Sequence, residues 1–242
     1  MKKILYALFI IATIQGCKKD QPILKTTNLL PGKRSSSAAV FSLSGALQSN
    51  MVVQRDKPFK LWGTAIAGHT ITVKTSWNSS TFSAVSNSTN DWLVTIPATP
   101  VNTIPQTIQI KDNNVVVAEM GNILIGDVWV CSGQSNMVMP MDSLAGFGGF
   151  EGVVDFHQEI AAANWPNIRL FNTDLDTQPI SKPPADFKAS PSNDVPNPST
   201  WMVCNPVNAK KYSGIAYYFG RALYTKLNIP VGLVVTAASG SA

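Results

Sequence analysis

The sequence predicts an α/β chain in two parts: a small all-β sandwich, followed by a domain built on a parallel sheet. Two patterns carry the prediction. Between residues 59 and 110, short segments alternate apolar and polar residues with turn residues between them, as strands with one buried face do. After Gly121 the alternation gives way to nearly continuous apolar runs, the last of them preceded by a segment with helical periodicity. Runs buried on both faces and joined through helices belong to parallel sheets.

At the N-terminus, Lys2 and Lys3 precede the apolar run Ile4 to Ile14, which is too short to span a bilayer but suits the core of a signal peptide. Gly16-Cys17 follows. A small residue directly before a cysteine resembles the lipobox of bacterial lipoproteins, so residues 1–17 are read as a leader and Cys17 as the acylated residue of the exported protein. A cleaved signal or a retained anchor is the alternative, and export follows from each. Two or more acyl chains would anchor the protein stably to the membrane. Residues 18–37 are rich in Lys, Thr, Pro, Gly and Ser and read as a flexible tether.

The sandwich is expected over residues 38–120. Phe59 to Thr64, Thr70 to Thr75, Asp91 to Ile96 and Gln106 to Ile110 are its strand candidates, separated by Ala67-Gly68, Asn87 to Asn90 and Asp112 to Asn114. The second domain is expected over residues 121–242. Ile123 to Cys131 and Ile168 to Asn172 read as strands. Ser213 caps a helix whose apolar positions Ile215, Tyr218, Phe219, Ala222, Leu223 and Leu227 share one face, and the helix stops at Asn228 ahead of Pro230. Val231 to Ala237 follows as a buried strand. Residues 179–206, rich in Pro, Ser and Asn, read as a long surface loop.

Composition narrows the function classes. Charged residues make up 14% of the chain, and of the formal charge of +5 the leader lysines supply two, leaving +3. Without a Lys/Arg stripe interleaved with aromatics, no nucleic-acid partner is expected. No His/Cys/Asp cluster has metal-ligand spacing, so neither a metal nor an organic cofactor is expected. Besides Cys17 there are Cys131 and Cys204; an oxidising compartment would allow them to pair, whereas their apolar contexts favour buried free thiols.

The chemistry concentrates in Val128 to Pro140, where an apolar run breaks into Cys-Ser-Gly-Gln-Ser-Asn and resumes with methionines. Ligands gather at the carboxyl ends of strands in an α/β sheet, and Ser135 lies just past such an end. A helical turn starting there would offer backbone N–H groups to an oxyanion beside the hydroxyl. Gly133-Gln-Ser-Asn-Met137 follows nucleophile-elbow logic but lacks the second glycine of Gly-x-Ser-x-Gly. A polar turn with a helix cap accounts for the same residues.

Gly126-Asp-Val-Trp-Val-Cys-Ser-Gly-Gln-Ser-Asn-Met137 closely resembles the nucleophile block of the sialate O-acetylesterase family, SGNH-type esterases acting on acetylated carbohydrates. Asn50 to Pro58 with Leu61-Trp-Gly63, Trp165 to Phe171, Trp201 to Cys204 and Ser213 to Arg221 resemble further blocks of that family in the same order. The resemblance implies an SGNH-hydrolase-like parallel sheet, incomplete in this chain, and an acetylated carbohydrate as substrate. It implies Ser135 as nucleophile, with its own N–H and that of Gly240 in the oxyanion hole. The family's adjacent glycine pair is here reduced, with Ser239 or Ser241 replacing one member. Gln134 and Asn136 are candidates for orienting the loop, binding substrate or satisfying backbone groups.

A serine needs a base, and by the resemblance the catalytic His and a third oxyanion donor lie beyond Ala242. The chain as given is therefore expected to be close to inactive, with the edge of Val231 to Ala237 exposed. His69 reads as a turn residue; His157 is a weak candidate for base or substrate loop. Asp127 reads as a loop stabiliser. A lipid-anchored glycan-binding protein without catalysis is the alternative function.

Overall fold

A computed structural model describes residues 41–143, 150–173 and 200–237. The leader with Cys17, the tether, Gly240 and residues 179–199 of the expected loop lie outside the described residues.

Eight strands occupy the first half: β1 (Ser42–Leu43), β2 (Val52–Gln54), β3 (Phe59–Thr64), β4 (Thr70–Thr75), β5 (Thr81–Val85), β6 (Asp91–Ile96), β7 (Asn102–Asp112) and β8 (Val115–Gly133). β1, β3 and β6 form a three-stranded antiparallel sheet, while β5, β4, β7 and β8 continue one another in a second sheet. The inward residues of both sheets, among them Leu61, Trp92, Val94 and Ile96 from one and Ile71, Val73, Ile108 and Ile110 from the other, make one core. The turns read from the sequence are where the chain takes left-handed conformations, at Asn90 (φ 70°), Asn113 (φ 43°) and Asn114 (φ 69°). Asparagine tolerates this region better than most residues.

The second half adds β9 (Trp165–Asn172), β10 (Met202–Cys204) and β11 (Val231–Ala237), with short helices α1 (Ser135–Val138), α2 (Phe156–Ala161) and α3 (Pro206–Lys210) and the longer α4 (Gly214–Leu227). β11 is parallel to both β8 and β9, whereas β10 runs antiparallel to β9. The eight-stranded sheet, ordered β10-β9-β11-β8-β7-β4-β5 with β2 as the eighth strand beside β8, is therefore mixed rather than parallel throughout. Its parallel pairs join β9, β11, β8 and β2. Strand β8, 19 residues long, joins the two halves: its first part pairs antiparallel with β7 and its last part parallel with β11.

That topology corrects the expectation of an exposed last strand. β11 lies between β9 and β8, paired on both sides. On its other side β8 pairs with β2 only as far as Gly126. At Gly126 the backbone of Pro230 crosses so closely that an added Cβ would lie 2.0 Å from the Pro230 carbonyl oxygen. Only glycine allows β11 to start beside β8 there. Gly126→Ala is expected to cost about 2–3 kcal/mol by overpacking, read as a lower midpoint in urea unfolding.

The helix cap was legible, the buried helix face only in part. The Ser213 hydroxyl accepts from the N–H of Ala216, and Asn228 closes α4 at φ 52°. The side facing the sheet consists of Gly214, Ala216, Tyr217 and Gly220, whereas Ile215, Phe219 and Leu227 are exposed. The small residues decide this. A Cβ on Gly220 would lie 2.4 Å from Leu233 Cδ1, so α4 packs on β11 through its smallest side chains.

Most of the sequence blocks outside the serine turn converge on the junction of the two halves. Arg169, 3% exposed, donates through Nε to the Pro166 carbonyl (2.9 Å), through Nη1 to the Asn50 and Asn122 carbonyls (3.2 and 3.1 Å) and through Nη2 to Asn122 Oδ1 (3.0 Å). Burial pulls its guanidinium down to about 10, still charged at neutral pH. The Trp201 indole N–H donates to the Ala46 carbonyl at 3.0 Å. Asp127 accepts from Arg55 Nε at 2.8 Å and from Gln54 Nε2 at 3.3 Å. It ties β2 to β8 at the end of the parallel ladder remote from Ser135, about 20 Å away at ~3.3 Å per residue.

Candidate active site

Three parallel strands end together. Ala237 of β11 pairs with Gly133 of β8, and Val235 pairs with Asn172 of β9. Past Gly133 the chain leaves the sheet and α1 begins at Ser135, its turn closed by Met137 N–H and Val138 N–H on the Gln134 carbonyl (2.9 and 3.2 Å) and Met139 N–H on that of Ser135 (3.0 Å). The opening N–H groups of such a turn have no intrahelical acceptor. A Cβ at residue 133 would stand 3.2 Å from Met137 Cβ, so glycine lets the turn fold back tightly over the strand end.

Met137, Val138, Asn172, Lys211, Ser213, Val235 and Ala237 line a small crevice at these carboxyl ends. Ser135 is half-buried beside it, and among the described residues its hydroxyl has no hydrogen-bond partner. Gln134 and Asn136 are exposed on either side, and the Gln134 side chain makes no cap hydrogen bond to α1. Gly240 lies outside the described residues, three positions beyond the end of β11.

The floor of the crevice is strapped to the α3–α4 turn. Gly214 N–H donates to the Met139 carbonyl (2.9 Å) and Met141 N–H to that of Tyr212 (3.1 Å), while the Ser213 hydroxyl meets Met137 Sδ at 3.5 Å. Tyr212 is buried, and its hydroxyl lies 2.8 Å from the Leu233 carbonyl and 3.3 Å from that of Phe171, so one side chain holds the turn against β11 and β9. Burial drives its phenol well above the usual value, which keeps it a donor. Tyr212→Phe is expected to remove a buried hydrogen bond and cost about 1 kcal/mol, lowering Tm by roughly 2–4 °C in a thermal melt. Ser213 was legible as a cap; Tyr212, Lys211 and Asn172 carried no local pattern that marked them.

Neither histidine is brought to Ser135. His69 Nδ1 pairs with Asp112 Oδ1 at 2.8 Å in the β-rich half. His157 is exposed on α2, its ring against Phe156 at a centroid distance of 3.9 Å. Asp142 is held by Lys210 at 3.1 Å, and that hydrogen bond keeps its carboxyl below the usual range. Cys131 and Cys204 are buried and free, their thiols raised by burial, that of Cys204 to about 12. At neutral pH both remain protonated and unreactive.

No protein-family model matches the chain. The described fold matches the crystal structure of a carbohydrate acetylesterase from Xanthomonas citri with a TM-score of 0.67 and 24% identity, covering 84% of this chain and 41% of that one. In sequence, the chain is 26% identical over 230 residues to sialate O-acetylesterase of Mus musculus, covering 91% of this chain and 40% of the relative. It is 27% identical over 217 residues to the Rattus norvegicus protein of the same name, covering 83% of this chain and 36% of that protein. The chain thus spans about 40% of the length of the relatives it matches. These matches support a sialate O-acetylesterase-like family for the chain, at low sequence identity.

Proposed function

We propose that the chain carries the nucleophile-bearing part of a carbohydrate O-acetylesterase, a serine carboxylic-ester hydrolase that removes acetyl groups from sugars such as sialic acid. The observation that carries this reading is the position of Ser135: half-buried, with its hydroxyl uncommitted among the described residues, at the carboxyl ends of three parallel strands. On this reading β8, β11 and β9 are the first strands of an SGNH-type sheet, and the β-rich half is its accessory sandwich.

The Ser135 Oγ attacks the acetyl carbonyl carbon and gives its proton to a general base. By the family resemblance, the N–H groups of Ser135 and Gly240 hold the oxyanion. Collapse of the tetrahedral intermediate expels the sugar hydroxyl, reprotonated by the base, and water then releases acetate from the acetylated serine. Gln134 and Asn136, exposed beside Ser135, are the residues placed to meet the sugar. His69 is committed to Asp112, and on the family resemblance the base is assigned to a histidine outside these 242 residues. The test is acetate release from O-acetylated sialic acid and from acetylated xylan by the protein extended to include that histidine. Hydrolysis of neither would overturn the reading.

The same reading places the protein outside the cytoplasm, anchored by lipid at Cys17, on the strength of Lys2-Lys3, the apolar run and Gly16-Cys17. Cys17→Ala is expected to move the protein out of the detergent-soluble membrane fraction of a bacterial host. Unchanged membrane retention would remove the anchor from the proposal.

A further inference from the structure

The outer face of the β1-β3-β6 sheet carries a feature with no part in the chemistry at Ser135. Along β3 and β6 the inward residues belong to the core, while Lys60, Trp62, Asp91 and Leu93 face outward, with Trp62 directly opposite Leu93 in the ladder. Where β6 passes β5, these side chains, Val85 and Asn87 border an open groove of about 700 Å³, within the range of roughly 300–1,000 Å³ usual for small-ligand sites.

The lining is divided by chemistry. Its floor is apolar: part of the Trp62 indole, Leu93 at 51% exposure and Val85 at 63%. Its rim is polar and largely uncommitted. The Asn87 side-chain oxygen accepts from Thr89 N–H (2.9 Å) and Asp91 N–H (2.8 Å), which fixes the amide. Its NH₂ group donates to no other group among the described residues. One oxygen of Asp91 accepts from Thr89 Oγ1 at 2.6 Å, leaving the other without a partner there, and Lys60 makes no ion pair among the described residues. The groove therefore offers an amide donor, a carboxylate acceptor and an ammonium donor around an aromatic and aliphatic floor.

We propose that this groove is a second carbohydrate-binding site, taking one pyranose of a neutral oligosaccharide. A pyranose matches the arrangement face for face: its axial C–H groups, slightly positive, lie against the electron-rich indole and the aliphatic floor, and its equatorial hydroxyls reach the rim. Neutrality follows from the charges. Lys60, opposite Thr95, and Asp91, opposite Thr64, stand at the two ends of the Trp62–Leu93 pair, one charge of each sign, so the lining carries no net charge. The site does not depend on Ser135, and it would hold the protein on a glycan whether or not the hydrolytic site is complete.

The test is titration of the full 242-residue chain with xylotetraose, following the indole Nε1–H resonances by ¹H–¹⁵N NMR and assigning that of Trp62 from its loss in Trp62→Phe. A saturable shift of the Trp62 signal is expected, with affinity reduced at least about tenfold in Leu93→Glu, which places a charge on the floor without entering the core. Trp62→Ala should do the same, and Ser135→Ala should bind as the parent does. N-acetylneuraminic acid should bind more weakly than xylotetraose. Absence of a saturable shift, full affinity in Leu93→Glu, loss of binding in Ser135→Ala, or tighter binding of N-acetylneuraminic acid would each overturn the proposal.

Discussion

On the proposed esterase function, replacing Ser135 with alanine is expected to lower acetyl-ester turnover by at least ~10³-fold in a protein extended to include the histidine base, because a triad without its nucleophile retains only binding and oxyanion stabilisation. The fold should not register the change. The hydroxyl has no partner among the described residues, and α1 closes through backbone bonds from Met137, Val138 and Met139. A surface substitution of this kind shifts stability by about 0.5 kcal/mol or less, so Tm should stay put while activity collapses. Ser132→Ala is the control. Ser132 is exposed at the end of β8, opposite Thr236 and before the turn, and its loss should leave turnover near that of the parent. If Ser135→Ala kept a tenth of the activity, or if Ser132→Ala lost as much, the nucleophile would have been misassigned.

The largest effect on stability is expected at Arg169. Its guanidinium satisfies three backbone carbonyls and the Asn122 side-chain oxygen, and two of those carbonyls belong to Asn50 and Asn122, both in left-handed conformations at φ 66° and 56°. The two asparagines also bond each other, Asn122 Nδ2 to Asn50 Oδ1 at 2.8 Å. Arg169→Met would fill much of the same volume and leave these acceptors buried without donors, at a cost of about 3–5 kcal/mol. Arg169→Lys should fall between parent and Met, since one ammonium cannot span a fork of four contacts. Urea titration reads both. A loss under about 1 kcal/mol for the Met variant would mean that water takes over those carbonyls.

Strands with strict alternation were legible because their signal is local: β3, β4 and β6 begin and end where the period-two pattern does. The Ser213 cap and the Asn228 stop were legible for the same reason. The sandwich boundary drawn at residue 120 falls inside β8, since an apolar run shows that a strand is buried but not which neighbours bury it. The α4 face is legible only in part: Tyr218 and Leu223 do pack against the core, but the fully buried positions are Gly214, Ala216, Tyr217 and Gly220, and close approach to Leu233 selects Gly220. β10 lay inside what read as loop, its three residues Met202–Cys204 too short to show a period. At the site, Ser135 stood out through its block of polar residues. Lys211 and Asn172 reach the crevice from chain segments remote in sequence, and no spacing encodes that.

The insertion of β11 between β8 and β9 has a consequence for the order of events during synthesis. The two earlier strands cannot become neighbours; the slot between them waits for residues 231–237. Residue 237 follows residue 133 by 104 positions, so at ribosomal speeds the end of β8 is exposed for roughly 5–20 s before its partner emerges. Through that interval the serine turn has no wall to close against, and Cys131, buried in the finished fold, lacks its cover. The part of the molecule that would do the chemistry is thus assembled only once β11 has emerged.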